Sequence, residues 1–241
     1  MRSYALRFAL LICAALMLAS CDQITAVLKP RTAASKHILF IGNSFTDING
    51  GIDNQLEGLA PDLQAQRIAP GGFTLENHWN GGAALATIRK GGWNYVVLQE
   101  QSQTPVIDQS KFYTYVEKFD VEARKIGART ILLMTWERPD SIRYEVTTAN
   151  LAAIYSNVGT KLGVQVAPTG LAFERSHIVR PDLKLYLEDG HPTLYGTYLA
   201  ACVLYATIYN ASPVGNPYSD RSIAPEIKTF FQRVAAETTG F

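Results

Sequence analysis

The sequence predicts an α/β protein, a three-layer α/β/α sandwich around a parallel sheet. Three observations predict it: short, continuously apolar runs recur from residue 37 onward, helix-like stretches separate them, and the links between are brief. Strands covered on both faces have no solvent side, so their residues need not alternate between apolar and polar. The runs at 37–41, 64–68, 95–98, 130–135 and 164–168 read as strands on that basis. Helical stretches are expected at about 50–60, 82–90, 109–126, 141–161, 193–210 and 223–238. The run from Lys111 to Ile126 shows the chemistry of both ends, following Asp108-Gln109-Ser110 and stopping at Gly127. In doubly wound sheets ligands sit beyond the carboxyl ends of the strands, near the topological switch point. Functional residues are therefore expected just after a strand.

The amino-terminal segment follows other rules. Arg2 and Arg7 precede an apolar run from Phe8 to Ala19. Twelve helical residues cover about 18 Å, short of the roughly 30 Å of a bilayer core, so the run reads as the apolar part of a secretory signal rather than a membrane span. It closes on Leu18-Ala19-Ser20-Cys21, which resembles the bacterial lipobox. That resemblance implies cleavage before Cys21 and lipid on its sulfur, anchoring the protein to a membrane of the bacterial cell envelope, facing the periplasm or the exterior. Asp22 is similar to the inner-membrane retention signal of enteric lipoproteins. An ordinary cleaved signal is the alternative. The expected organisation is a signal at 1–20, a tether at 21–36 and one domain over 37–241.

Composition narrows the function classes. The formal net charge is +1, which provides no electrostatic basis for a nucleic-acid partner. Once the signal is removed, only Cys21 and Cys202 remain, and with Cys21 lipidated no internal disulfide can form. Cys202 sits in an apolar helical run and reads as a small core residue. His37, His78, His177 and His191 lack metal-ligand spacing, so no metal and no cofactor are expected.

Two sites carry chemistry. Ile38-Leu39-Phe40-Ile41-Gly42-Asn43-Ser44 runs an apolar strand directly into a serine on a turn, and Glu188-Asp189-Gly190-His191-Pro192 offers a histidine with carboxylates just upstream. A serine hydroxyl is a weak nucleophile at neutral pH. It needs a base to take its proton and an acid to orient that base. Taken alone, the Asn-Ser pair could be a helix cap and the His-Pro pair a helix start.

Gly42-Asn43-Ser44-Phe45-Thr46 resembles the first block of the SGNH (GDSL-type) hydrolase superfamily, with Asn43 in the place of an aspartate. Pro70-Gly71-Gly72-Phe73-Thr74 is similar to the second block, Val96-Val97-Leu98-Gln99-Glu100-Gln101 falls where the third belongs, and His191-Pro192-Thr193 matches the last. The resemblance covers about residues 37–210. It implies a flavodoxin-like parallel sheet and an ester hydrolase with an acyl-serine intermediate. Ser44 is then the nucleophile and His191 the base. The backbone N–H groups of Ser44 and Gly72 and the amide of Gln101 form the oxyanion hole. Gln101 stands where the family has asparagine, and Gln99 is the lesser candidate for that amide. For the acid, the family spacing falls on Glu188 and the family residue type on Asp189. Spacing tips the choice to Glu188, and both stay open.

Asn43 and Trp136 are expected to line the substrate site, although a tryptophan after the fourth strand is as readily a packing residue. His78-Trp79 reads as a packing or surface pair, the Gly81-Gly82 and Gly91-Gly92 pairs as turns, and Tyr195, Tyr198, Tyr205 and Tyr209 as one packed helix face. The expected substrate is a small-molecule or glycan ester. Two alternatives remain: an O-acetyltransferase acting on envelope polysaccharide, and a catalytically degenerate glycan-binding lipoprotein.

Overall fold

The computed structural model describes residues 35–241. The signal segment, Cys21 and residues 22–34 of the tether lie outside the described residues. Five strands form one sheet: β1 (Lys36–Ile41), β2 (Leu63–Ile68), β3 (Tyr95–Leu98), β4 (Arg129–Leu133) and β5 (Gln165–Ala167). Their order is β2-β1-β3-β4-β5 and every pairing is parallel. All five expected strands are present, with bounds shifted by no more than two residues.

The central strands bury both faces. Ile38 and Phe40 of β1, Val97 of β3, and Ile131 and Leu133 of β4 enter one core. Their neighbours Leu39, Ile41, Val96, Leu98 and Leu132 enter the other. This explains the unbroken apolar runs, since alternate residues point to opposite cores and both are dry. The first core is closed by α2 (Ile52–Leu59), α9 (Leu194–Tyr209) and α10 (Pro225–Thr239). The second is closed by α3 (Leu75–Gly81), α4 (Ala83–Arg89), α6 (Gln109–Lys125) and α7 (Thr148–Leu162). These are the three layers the sequence predicts.

The remaining helices are short or unexpected. They are α1 (Ser44–Asp47), α5 (Thr104–Ile107) and α8 (Thr169–Val179). The helix expected over 141–161 is shorter than predicted. Only α7 is helical there, preceded by a 3₁₀ turn at Ile142–Tyr144. Glu145 then takes a φ of 61°, and Ser141 Oγ donates to the Arg138 and Val146 carbonyls, so the segment folds back as a tight turn. Asp108 caps α6 by accepting the Lys111 N–H at 3.0 Å. Cys202 is buried in α9, and the four tyrosines of that helix pack within or against the first core.

Candidate active site

The chain turns to opposite sides of β1 after its first two strands: β2 flanks it on one edge and β3 on the other. The crevice past the ends of β1 and β3 is therefore the switch point where such sheets place ligands. The sequence puts Gly42-Asn43-Ser44 past β1 and Gln99-Glu100-Gln101 past β3.

Ser44 is the first residue of α1, and Asn43 is its cap, with Oδ1 accepting the Phe45 N–H at 3.0 Å. Gly42 allows the turn to close. A Cβ there would fall 2.7 Å from Gln99 Oε1. That same oxygen accepts from the Asn43 N–H and from Thr46 Oγ1, each at 2.9 Å. Gln99 Nε2 donates to the Glu100 carbonyl. The oxygen end of the Gln99 amide thus holds the nucleophile turn, while its nitrogen end is spent on its own loop. His78 holds the turn from the other side, with Nε2 2.6 Å from the Gly42 carbonyl. Burial keeps this imidazole below the usual histidine pKa, and because a carbonyl can only accept, Nε2 is the donor of that bond.

His191 arrives from 147 residues away. Its Nε2 lies 2.9 Å from Ser44 Oγ, and its Nδ1 lies 2.9 Å from Asp189 Oδ2. Asp189 Oδ1 also accepts the His191 backbone N–H at 3.1 Å. These contacts hold the Asp189 pKa below the usual carboxylate value, the backbone bond contributing most. The spacing argument for Glu188 is overturned: that side chain lines a groove of ≈ 500 Å³ with Leu185, Tyr186 and Leu187, and no hydrogen bond joins it to His191. The reason is the turn that carries both residues. Gly190 N–H donates to the Leu187 carbonyl, Leu187 N–H to the His191 carbonyl, and Tyr186 bridges Pro192. That reversal brings Asp189, not Glu188, onto the imidazole. Gly190 adopts a φ of 83°, and a Cβ there would meet the Arg138 side chain.

Trp136 is not in the substrate cleft as expected. It is 1% exposed and forms part of an aromatic stack, 4.8 Å from Phe45 on one side and 4.3 Å from Phe173 on the other. Its indole N–H donates to the Gly190 carbonyl at 3.0 Å. One side chain after β4 therefore touches the neighbour of Ser44 and the neighbour of His191. Phe45 in turn meets the His191 ring edge-on at 5.4 Å. Asn43 is corrected in the same way. It is buried, and both its amide atoms are engaged, Oδ1 at Phe45 and Nδ2 at the Phe73 carbonyl (3.0 Å). It joins loops rather than facing a substrate.

The three candidate oxyanion donors differ in how they are held. Ser44 N–H opens α1, and Gly72, with a φ of 72°, lies in an exposed turn directly before Phe73. Gln101 is fixed through its oxygen, which accepts the Gln103 N–H at 2.8 Å and the Thr104 N–H at 3.2 Å, just ahead of and at the start of α5. This leaves its Nε2 as the donor end. Neither of the two backbone N–H groups, nor Gln101 Nε2, has an acceptor among the described residues.

Sequence reasoning missed several residues here. Asn49 Nδ2 donates to the Pro192 carbonyl at 2.8 Å and to Thr197 Oγ1 at 3.0 Å, fastening the end of the nucleophile turn to the start of α9. Glu100 is fully buried and accepts main-chain N–H groups from Leu75 and Gln101. The available signal was the two polar residues Gln99-Glu100 at the end of an otherwise apolar strand.

No family model matches the chain, and no curated protein matches it in sequence. Solved structures do match. A DUF4886 family protein from Bacteroides uniformis superposes with a TM-score of 0.70 at 18% identity, covering 84% of this chain and 94% of that one. A candidate SGNH hydrolase from Slackia heliotrinireducens gives 0.65 at 25% identity, covering 72% and 99%. An acetylxylan esterase from Geobacillus stearothermophilus gives 0.52 at 13% identity, covering 73% and 94%. With its parallel five-stranded sheet between two helical layers, the chain has the SGNH hydrolase fold.

Proposed function

We propose that the protein is a serine ester hydrolase acting through an acyl-serine intermediate. One observation carries the reading: the unbroken chain from Ser44 Oγ through the His191 imidazole to the Asp189 carboxylate, each contact at 2.9 Å. Asp189 accepts a hydrogen bond from Nδ1–H and so holds the proton on that nitrogen, which leaves the Nε2 lone pair facing the hydroxyl. As Ser44 Oγ attacks the ester carbon, its proton passes to Nε2 and the carbonyl oxygen becomes an oxyanion. The N–H groups of Ser44 and Gly72 and the Gln101 amide stabilise that charge. Collapse breaks the bond to the alcohol oxygen, which leaves with the proton from Nε2. Water, deprotonated by the same nitrogen, then releases the acid and restores Ser44.

The finer reading is an acyl or acetyl ester, carried on a carbohydrate, cleaved at the bacterial cell envelope by a protein lipidated at Cys21. The likeness of fold to an acetylxylan esterase and the lipobox-like segment motivate it. The His191 side chain is 31% exposed, so an alcohol could replace water as acyl acceptor. Analysis of products from an acetylated glycan separates the two: free acetate alone means hydrolysis, and an acetylated acceptor means transfer. The carboxylate on Nδ1 supports catalysis over a degenerate binding role.

The test is Ser44→Ala with a chromogenic short-chain ester. Turnover should fall by on the order of 10⁴-fold or more, with the circular dichroism spectrum unchanged. Unchanged turnover, or no labelling of Ser44 by a fluorophosphonate in the folded wild type, would remove the serine mechanism.

A further inference from the structure

One carboxylate beside the site has no part in the chemistry above. Glu100 follows β3 and is 0% exposed, yet no lysine or arginine lies within ion-pair distance among the described residues. Its partners are main-chain donors. Oε1 accepts the Gln101 N–H at 2.6 Å and the Leu75 N–H at 3.2 Å, and Oε2 lies 3.4 Å from the same Leu75 nitrogen. Leu75 opens α3, three residues beyond Gly72, and Gln101 presents the third candidate oxyanion donor. One buried side chain therefore grips both loops that supply donors from outside the nucleophile turn. Those loops are also tied to that turn, by Asn43 Nδ2 on the Phe73 carbonyl and by Gln99 between Asn43 and Glu100.

A neutral residue would occupy this place at lower cost to folding. Burial pushes the Glu100 pKa up to about 7, against the pull of the Gln101 and Leu75 N–H groups. The charged and titratable groups around it are Glu76 on α3, Lys111 on α6 and Tyr155 on α7. Lys111 favours the carboxylate but is paired with Glu76 at 3.1 Å, and Glu76 opposes it. Tyr155 lies fully buried in the second core. A site this unfavourable to charge, with two N–H groups converging on it, calls for a role that a neutral side chain fills less well. A charged acceptor holds an N–H about twice as strongly as a neutral one.

We propose that Glu100 is a positioning residue for acyl transfer at Ser44: by holding two main-chain N–H groups at once, its carboxylate sets the Gly72 loop against Gln101 so that the oxyanion donors are pre-placed. The proposal rests on the hydrolase reading. The donors do the stabilising; Glu100 keeps them from drifting, and small displacements are costly in such sites.

The experiment compares the full chain with Glu100→Gln on a chromogenic acetyl ester at pH 8 and pH 5.5. The variant keeps the volume and one acceptor oxygen but loses the charge. At pH 8 its kcat should fall about 10-fold, a smaller effect than removing a donor outright, with KM within about twofold. Its thermal midpoint should rise at that pH. At pH 5.5 the wild-type carboxyl is itself protonated and the two kcat values should converge. Other titrations act on both proteins alike and cancel in the ratio. A merely structural residue cannot give this pattern, because activity would follow stability. Equal or higher kcat for the variant at pH 8, or the same ratio at both pH values, overturns the proposal. If the wild type shows neither turnover nor fluorophosphonate labelling, the hydrolase reading fails and the proposal with it. If the wild type does both and Glu100→Gln matches it, only the positioning role fails.

Discussion

At the residue scale the choice between two adjacent carboxylates decides the chemistry. Glu188 and Asp189 are neighbours in the chain, yet only Asp189 reaches Nδ1, and it does so with a side chain that is 64% exposed. An exposed acid orients its imidazole less firmly than a buried one, since water competes for both partners. Asp189→Asn should therefore lower kcat by about 10²- to 10³-fold, less than the roughly 10⁴ known for a buried triad aspartate. Glu188→Gln should stay within about twofold by the same steady-state assay. A larger loss at Glu188 than at Asp189 would return the acid role to the spacing argument. The serine and the histidine were legible because strand-to-serine and histidine-to-helix patterns are local. The acid was not, because adjacent residues on a turn point different ways, and only the turn geometry says which way.

At the element scale the site is hung from loops that larger elements hold in place. The turn carrying Asp189 and His191 is fastened from three directions: by the Trp136 indole, by Asn49 on the Pro192 carbonyl, and by the cap of α9, where Thr193 Oγ1 accepts the Gly196 N–H and donates to the Lys184 carbonyl. Gly190 is its pivot. Gly190→Ala should cost about 1–2 kcal/mol of stability through the left-handed backbone. It should also lower kcat further than that loss of folded protein explains, because the strain falls between the acid and the base. Urea denaturation and ester turnover on one preparation separate the two effects. A variant with full kcat would show that the turn tolerates a side chain. Besides the four-residue α1 and α5, two longer helices escaped the sequence pattern for different reasons. In α8 the buried positions include Thr169, Gly170, Ala172 and Ser176, so the inward face shows no apolar stripe. In α3 the signal was present as the Thr74–Asn77 capping box, but the helix is short and ends at Gly81-Gly82.

At the scale of the whole molecule, burying a carboxylate couples folding to pH. The folded Glu100 pKa is raised to about 7 from 4.5, so the folded state binds the proton more tightly than the unfolded chain. The sign follows: Glu100 leaves stability untouched below about pH 4.5, and its penalty grows as pH rises until it is complete above pH 7. By linkage the penalty reaches about 3 kcal/mol. His78 acts in the opposite sense, since its lowered pKa makes acid destabilising. Comparing wild type with Glu100→Gln cancels that term. Urea titrations at pH 5 and pH 8 should show the variant gaining stability over the wild type as pH rises. A pH-independent difference would mean that the buried carboxyl does not titrate in this range.

The sequence by itself determined the architecture and the two ends of the chemistry. Apolar runs recurring between helical stretches leave few ways to bury both strand faces, and a serine placed directly after such a run must stand at the carboxyl edge of the sheet. Tertiary structure decided what adjacent or distant side chains do once they meet: Asp189 rather than Glu188 on the imidazole, Trp136 and Asn43 bracing loops instead of lining a cleft, Gln99 holding the nucleophile turn, and Glu100 buried between two loops. Periodicity is a property of consecutive residues and can be read along the chain. The direction in which a polar side chain points depends on which acceptor or donor the rest of the fold brings within hydrogen-bond reach of it, and here Glu100, Asn43, Trp136 and Gln99 each find a partner 25 to 56 residues away.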